Sequence, residues 1–327
     1  MKHGGDLTQA MAEFGGAADE WLDLSTGINP WPWPIRKLPD SAWQRLPSRA
    51  DEQALLAAAR AAYRVPEAAG IVAAPGTQAL IQLLPRLAVD GAVAIVGPTY
   101  NEHSAAWSDA GHAIAAIKDL SELPAHVTHA VIVNPNNPDG RVTDPDRLVE
   151  VAAVLQRRGG WLVIDEAFAD VDAHISAVAS CGKLPIVILR SFGKFYGLAG
   201  IRLGFAIGTP DVVNGIRHVL GPWAVSGPAL SIGARALNDA PWAMQTRVRL
   251  AAQVIKLDGI LLNAGFEVVG GTSLYRLARH PEAAALHRRL AQKYIWCRSF
   301  DWSREMLRFG LPHDAEALDR LAAALAP

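Results

Sequence analysis

The run Ser191-Phe-Gly-Lys-Phe-Tyr-Gly-Leu-Ala-Gly-Ile-Arg202 holds the residues best suited to chemistry in this chain of 327 amino acids. Lys194 follows a short apolar stretch, Ile186-Val-Ile-Leu-Arg190, with a serine three residues before it and an arginine eight after. A lysine in a loop of small residues at a strand's end sheds part of its hydration. The neutral amine it then offers can form a Schiff base with an aldehyde. Ser191 and Arg202 are groups that hold a phosphate. An aldehyde and a phosphate in one molecule describe pyridoxal 5′-phosphate. Taken alone, a Gly-Lys pair is explained better by a surface turn, and other residues of the chain reverse that preference.

Those residues lie at repeated positions. Short aliphatic or β-branched runs at 71–74, 92–96, 130–133, 161–164, 186–189 and 204–207 alternate with helical patterns such as 144–157. Continuous apolar strands alternating with helices predict a mostly parallel sheet covered on both faces. Polar clusters follow five of the runs: Gly76-Thr77-Gln78, Thr99-Tyr100, Asn134-Pro-Asn-Asn137-Pro-Asp-Gly140, Asp165-Glu166, and Ser191 with Lys194. Carboxyl ends of strands are where open α/β sheets bind ligands.

Each cluster suits one part of the cofactor and also has a plainer use. Gly76, Thr77 and Gln78 open a helix whose backbone N–H groups and dipole attract a phosphate, though Gly-Thr also serves simple capping. Tyr100 could stack on the pyridine ring or pack in the core. Asn137 can donate to the phenolic oxygen, while Asn-Pro-Asn-Asn-Pro is also good turn material. Asp165 can keep the ring nitrogen protonated and make the ring an electron sink. An Asp-Glu pair could instead ligate Mg²⁺, but the chain has no Gly-x-x-x-x-Gly-Lys-Ser/Thr loop to accompany it.

Composition excludes several other classes. Half the residues are hydrophobic and 19% are charged, which describes a globular enzyme and not a disordered chain. A net charge of −1 gives no basis for binding nucleic acid or an anionic membrane. Cys181 and Cys297 make neither a metal site nor a disulfide framework. The N-terminus lacks a signal peptide's apolar stretch, and the uncharged run 68–85 is broken by prolines and polar residues. A cytoplasmic location is expected, with no metal. His103, His112, His126, His129 and His174 show no ligand spacing and read as surface or core residues.

Asn137-Pro-Asp-Gly, Asp165-Glu-Ala-Phe168 and Ser191-Phe-Gly-Lys194 with Gly200-Ile-Arg202 resemble the fold type I pyridoxal-phosphate enzymes, and among them the histidinol-phosphate aminotransferase group. The resemblance runs through nearly the whole chain in order. It implies an α/β fold whose large domain, 45–230, carries a mostly parallel sheet of the seven-stranded type. A small α+β domain would comprise 1–44 and 231–327. Lys194 would carry the cofactor and Asp165 its ring nitrogen. Asn137 would meet its phenolic oxygen and Tyr100 its ring, with Gly76, Thr77, Gln78, Ser191 and Arg202 around its phosphate. A homodimer is implied as well.

Two departures point to a branch within the group. Phe168 stands where aminotransferases of the group carry a tyrosine, and its ring has no hydroxyl to tune proton transfer. The opening His3-Gly4-Gly5-Asp6, followed by Leu24-Ser25-Thr-Gly-Ile-Asn29-Pro30, is similar to a substrate-bordering segment of the decarboxylases that act on phosphorylated threonine. By that resemblance His3, Gly4, Ser25, Asn29 and Asn137 border the substrate. Arg308 would hold its carboxylate and Arg298 its phosphate. The reaction implied is a decarboxylation that supplies the aminopropanol linker of cobalamin. The alternative is a histidinol-phosphate or related aminotransferase. Leu46-Pro-Ser-Arg49 replaces a tyrosine segment that in relatives reaches across a dimer, with Arg49 or Tyr63 as candidates to stand in.

Overall fold

Continuous apolar runs buried on both faces make the central strands, and shorter or half-exposed runs make the rest. In a computed structural model, which describes residues 4–326, they are β1 (Leu22–Leu24), β2 (Gly70–Ala74), β3 (Ala92–Val96), β4 (Ile114–Ile117), β5 (Val127–Val133), β6 (Leu162–Asp165), β7 (Ile186–Ser191), β8 (Gly204–Gly208), β9 (Glu267–Thr272), β10 (Tyr275–Arg279), β11 (Ile295–Phe300) and β12 (Ser303–Gly310).

The larger sheet has seven strands in the order β2-β8-β7-β6-β5-β3-β4. Only β8 runs against its neighbours, pairing antiparallel with both β2 and β7. The other pairs are parallel. Six carboxyl ends therefore share one edge, and five of them carry the polar clusters that the sequence places there. Strand β4 is the one that the apolar pattern does not reveal. It is a short edge strand, Ile-Ala-Ala-Ile, and only Ile117 is buried.

Helices cover the sheet by burying one stripe. On Thr77–Leu87, residues Leu80, Ile81 and Leu84 pack with Trp107, Val93, Val131, Val163 and Val187 in one continuous core. Each such side chain contributes about 1.5–3 kcal/mol by leaving water. Pro145–Gln156 starts where the sequence suggests. Pro145 fills the first turn, and the Asp144 carboxylate accepts from Asp146 N at 2.8 Å. His112 and His129 belong to the core beside Trp107, and His126 and His174 are exposed.

The chain divides into two compact units. The larger comprises Trp33–Asn137 and Arg141–Ala243. Helix Gly227–Leu237 packs on helix Arg49–Ala62 within it. The smaller comprises the described residues up to Pro32, Pro138–Gly140, and the chain from Met244 onward. Its five-stranded sheet has the order β1-β11-β12-β10-β9, with β1 parallel to β11 and the rest antiparallel.

Gly160, just before β6, admits no side chain: a Cβ there would lie 1.7 Å from Thr128 O, on the neighbouring strand. Substituting Gly160→Ala should therefore push β6 and β5 apart and destabilise the protein by at least about 2 kcal/mol. Denaturant unfolding followed by circular dichroism measures the loss.

Candidate active site

In the larger unit the predicted phosphate group is assembled by close backbone approach. Gly76 caps helix Thr77–Leu87 at φ +84°, a left-handed conformation that favours glycine. A Cβ on it would lie 2.7 Å from Arg202 Nη2. A Cβ on Gly204 would lie 2.6 Å from Thr77 N, and Gly204 pairs with Ser191 across β8 and β7. The helix N-terminus, the Arg202 guanidinium and Ser191 thus converge, and two glycines keep the cradle open. Nη1 of Arg202 donates to Ala199 O at 3.3 Å. The sequence singles out Gln78 for its place in the first helical turn, and its side chain meets other residues. Its Oε1 accepts from the Tyr100 hydroxyl at 3.1 Å, and its Nε2 donates to Glu102 at 2.6 Å. Gln78 therefore holds Tyr100, and what it offers an anion is its place in the first helical turn.

Asp165 ends β6 and is 3% exposed. Its Oδ1 accepts from Ala167 N at 3.0 Å, and its Oδ2 faces His103 Nε2 at 2.9 Å. Sequence reasoning missed His103, which it places only as a surface or core residue. The contact spans 62 residues, and a lone histidine in helix Glu102–Asp109 carries no local signal of it. Ring edges of Tyr100 and His103 also meet, with centroids 6.3 Å apart.

The asparagine run divides its labour. Asn134 accepts from Thr143 N at 2.8 Å, and Asn136 accepts from the Thr99 hydroxyl at 2.7 Å. Both are buried and hold the loop, and Asn137, half-buried, follows them. Lys194 lies in the short helical turn Phe192–Phe195 directly after β7. Its Nζ is 5.7 Å from the centre of the Phe168 ring, which is buried. Tyr63 is committed to its own core, with the Arg190 guanidinium 4.4 Å over its ring, whereas Leu46 and Arg49 are exposed.

In the smaller unit a second group forms. Gly4 approaches Ser25 so closely that a Cβ would lie 2.4 Å from Ser25 O. The Ser25 hydroxyl donates to Asp23 at 2.6 Å and accepts from Gly5 N at 2.9 Å. Arg308 Nη2 donates to Ser25 O at 2.8 Å, and its guanidinium lies 5.1 Å from the Tyr275 ring centre. Register places Arg298 on β11 directly opposite Arg308 on β12. Gly4, Ser25 and Arg298 line one cavity of about 410 Å³, to which His287 and Arg288 also contribute. Asn29 is buried and its Oδ1 accepts from Trp31 N at 2.9 Å, which shapes the turn after Ser25. His3 lies outside the described residues. Among the described residues no group of acidic, histidine and cysteine side chains could hold a metal ion.

The larger unit fits pyridoxal phosphate on its own geometry. A glycine-lined anion cradle, a buried hydrogen-bonded carboxylate and an amine occupy the ends of adjacent strands. This strand order, with aspartate closing β6 and lysine just past β7, defines the fold type I class of pyridoxal-phosphate enzymes. The chain belongs to the aminotransferase class I and II family, whose model matches residues 47–325. It is 43% identical over 330 residues to a threonine-phosphate decarboxylase from Sinorhizobium sp., covering 99% of this chain and 97% of that protein. A threonine-phosphate decarboxylase from Pseudomonas aeruginosa is 42% identical over 328 residues, with the same coverage of 99% and 97%. In fold the chain is similar to histidinol-phosphate aminotransferase from Sinorhizobium meliloti in complex with pyridoxal-5′-phosphate, with a TM-score of 0.80 at 21% identity, covering 98% of this chain and 93% of that one.

Burial lowers the Arg308 pKa to about 10, and the Arg298 charge adds to this, while Tyr275 and Asp23 oppose it. Arg308 remains a cation at neutral pH, at a cost in stability. The sign follows from the lowered folded value: the cost is present below pH 10 and is relieved only as pH rises above it, toward the usual arginine range. Replacing Arg308→Met should therefore leave the Tm of the ligand-free protein unchanged or higher at pH 7. Inorganic phosphate should raise the wild-type Tm, and Arg298→Met should reduce that gain. Thermal unfolding with and without phosphate checks both.

Proposed function

We propose that this chain is a pyridoxal-phosphate-dependent carboxy-lyase. It converts L-threonine O-3-phosphate to (R)-1-aminopropan-2-yl phosphate, the aminopropanol linker of cobalamin. The carrying observation is the Arg298–Arg308 pair. Like charges directly opposite on adjacent strands repel, so an arrangement of this kind suits a substrate that brings two anionic ends. Full-length likeness to threonine-phosphate decarboxylases supports the same substrate.

Lys194, Asp165, Asn137, Tyr100, Ser191, Arg202 and the Gly76–Gln78 turn would hold the cofactor. When bound, the cofactor supplies an electron sink conjugated to the substrate's Cα. The remaining work falls to the chain. Arg308, steadied by Ser25 O and the Tyr275 ring, takes the carboxylate, and Arg298 takes the phosphate. Two fixed ends set which bond at Cα is aligned for cleavage, and that alignment separates loss of CO₂ from loss of a proton. Asp165, held by Ala167 N and His103, keeps a proton on the ring nitrogen. Lys194 moves the proton at Cα that replaces CO₂. Phe168 puts no hydroxyl beside Lys194, so it gives that amine no second proton-transfer partner.

The protein is proposed to act in the cytoplasm as a homodimer. Exposed Trp43, Leu46 and Trp223, at 68%, 69% and 58%, present apolar surface on the larger unit that suits burial against a second copy. No helix among the described residues is long and apolar enough to cross a membrane.

Pure protein incubated with O-phospho-L-threonine should release CO₂ with no 2-oxo acid present. Turnover that requires 2-oxoglutarate would make it an aminotransferase instead. Borohydride reduction followed by peptide mapping should place the reduced cofactor adduct on Lys194. A second expectation concerns Phe168→Tyr, which should increase 2-oxoglutarate-dependent turnover relative to CO₂ release, measured as the ratio of the two products.

A further inference from the structure

Glu166 follows Asp165, and Arg190 precedes Ser191. The alternation of side chains along extended backbone sends both to the face opposite the cofactor groups. There Arg190 Nη1 donates to Glu166 Oε2 at 2.8 Å, and Nη2 donates to Asp170 Oδ1 at 2.5 Å. Glu166 also accepts from the Ser176 hydroxyl at 2.6 Å and from Ala177 N at 3.0 Å. Tyr63 lies flat against the guanidinium, 4.4 Å from its ring centre. None of Tyr63, Glu166, Asp170 and Arg190 is more than 6% exposed, and the proposed reaction uses none of them.

Stability alone is a poor reason to keep such a cluster. A buried ion pair repays its desolvation only with complete hydrogen bonding, and apolar replacements often fold as stably. Here Arg190 Nε and the Tyr63 hydroxyl have no hydrogen-bond partner among the described residues. Burial holds the Glu166 carboxyl above its usual range against the pull of Arg190.

What distinguishes the cluster is the backbone it joins. Glu166 adjoins Asp165, whose carboxylate ends β6. Asp170 sits in the turn Ala169–Val171, whose cap is Phe168, the ring beneath Lys194. Arg190 adjoins Ser191 and lies four residues before Lys194. One guanidinium fork therefore ties together three segments that each carry a cofactor-facing group. Arginine suits this task because its planar fork fixes direction as well as charge.

We propose that Arg190, Glu166 and Asp170 are positioning residues that fix the Asp165 carboxylate relative to the Lys194 amine, and so set the tilt of an aromatic ring held by both. This rests on the reading of Lys194 and Asp165 as the cofactor's anchors. The test uses full-length protein stripped of cofactor and titrated with pyridoxal phosphate. Wild type is compared with Glu166→Gln, Asp170→Asn and Arg190→Lys, and with Ser176→Ala, a milder change that leaves the guanidinium contacts in place. The readouts are the Kd for pyridoxal phosphate and the visible circular dichroism at saturation, with ligand-free Tm recorded beside them.

Glu166→Gln and Arg190→Lys should weaken the Kd by roughly tenfold, the size of effect seen when a supporting residue behind a ligand is lost. They should also alter the amplitude of the visible signal, and Ser176→Ala should shift both in the same direction by less. Wild-type Kd and wild-type visible signal in every variant, whatever the Tm values, would overturn the proposal and leave the cluster a structural staple. If a variant does not fold, Ser176→Ala and Asp170→Asn give the same two readouts. Should wild type bind no pyridoxal phosphate, or carry the reduced adduct away from Lys194, the underlying reading itself falls, a result separable from the first.

Discussion

Successive side chains on a strand face opposite ways, and that constraint organises the ends of β6 and β7. Asp165 and Ser191 go to the side of the groups proposed to hold the cofactor. Their immediate neighbours, Glu166 and Arg190, go to the other side and meet there as a buried ion pair. A carboxylate or serine placed one position earlier or later would face the core instead of that side. The parallel direction of six strands then brings the remaining groups to the same edge.

Much of this was legible in the residues themselves. Strand ends announce themselves when an apolar run stops at Gly76-Thr77, Asn134-Pro135 or Asp165-Glu166, because those residues have few uses inside a strand. Contacts between distant residues left no such mark. His103 bonds Asp165 across the sheet, and nothing beside it in sequence says so. Arg298 and Arg308 could be named from the family resemblance, but only the register of β11 against β12 makes them a facing pair. Gln78 stands out in the sequence only for its place at a helix start, and nothing beside it shows that its side-chain amide meets Tyr100 and Glu102. Strand β4 escaped notice because alanines at a half-exposed edge carry neither β-propensity nor a clear period.

The two units differ in how they handle charge. In the larger, Arg190 is matched by two carboxylates within hydrogen-bonding distance. In the smaller, Arg308 leans on a carbonyl and an aromatic face, with another arginine opposite. The first arrangement pairs the cation with opposite charge from the chain itself. The second sets two cations opposite each other on adjacent strands, a cost in stability that an anion bound there would offset.

The pairing of β1 with β11 has a consequence for synthesis. Leu22–Leu24 emerges from the ribosome long before the strand it lies against, Ile295–Phe300. Until that strand is made Leu22 and Leu24 have no sheet to join, and loop closure over all the strands of the larger sheet must precede their burial. The smaller unit thus cannot mature before β11 has been made, and a nascent protein halted before that strand would display an unpaired apolar edge for chaperones or aggregation to find.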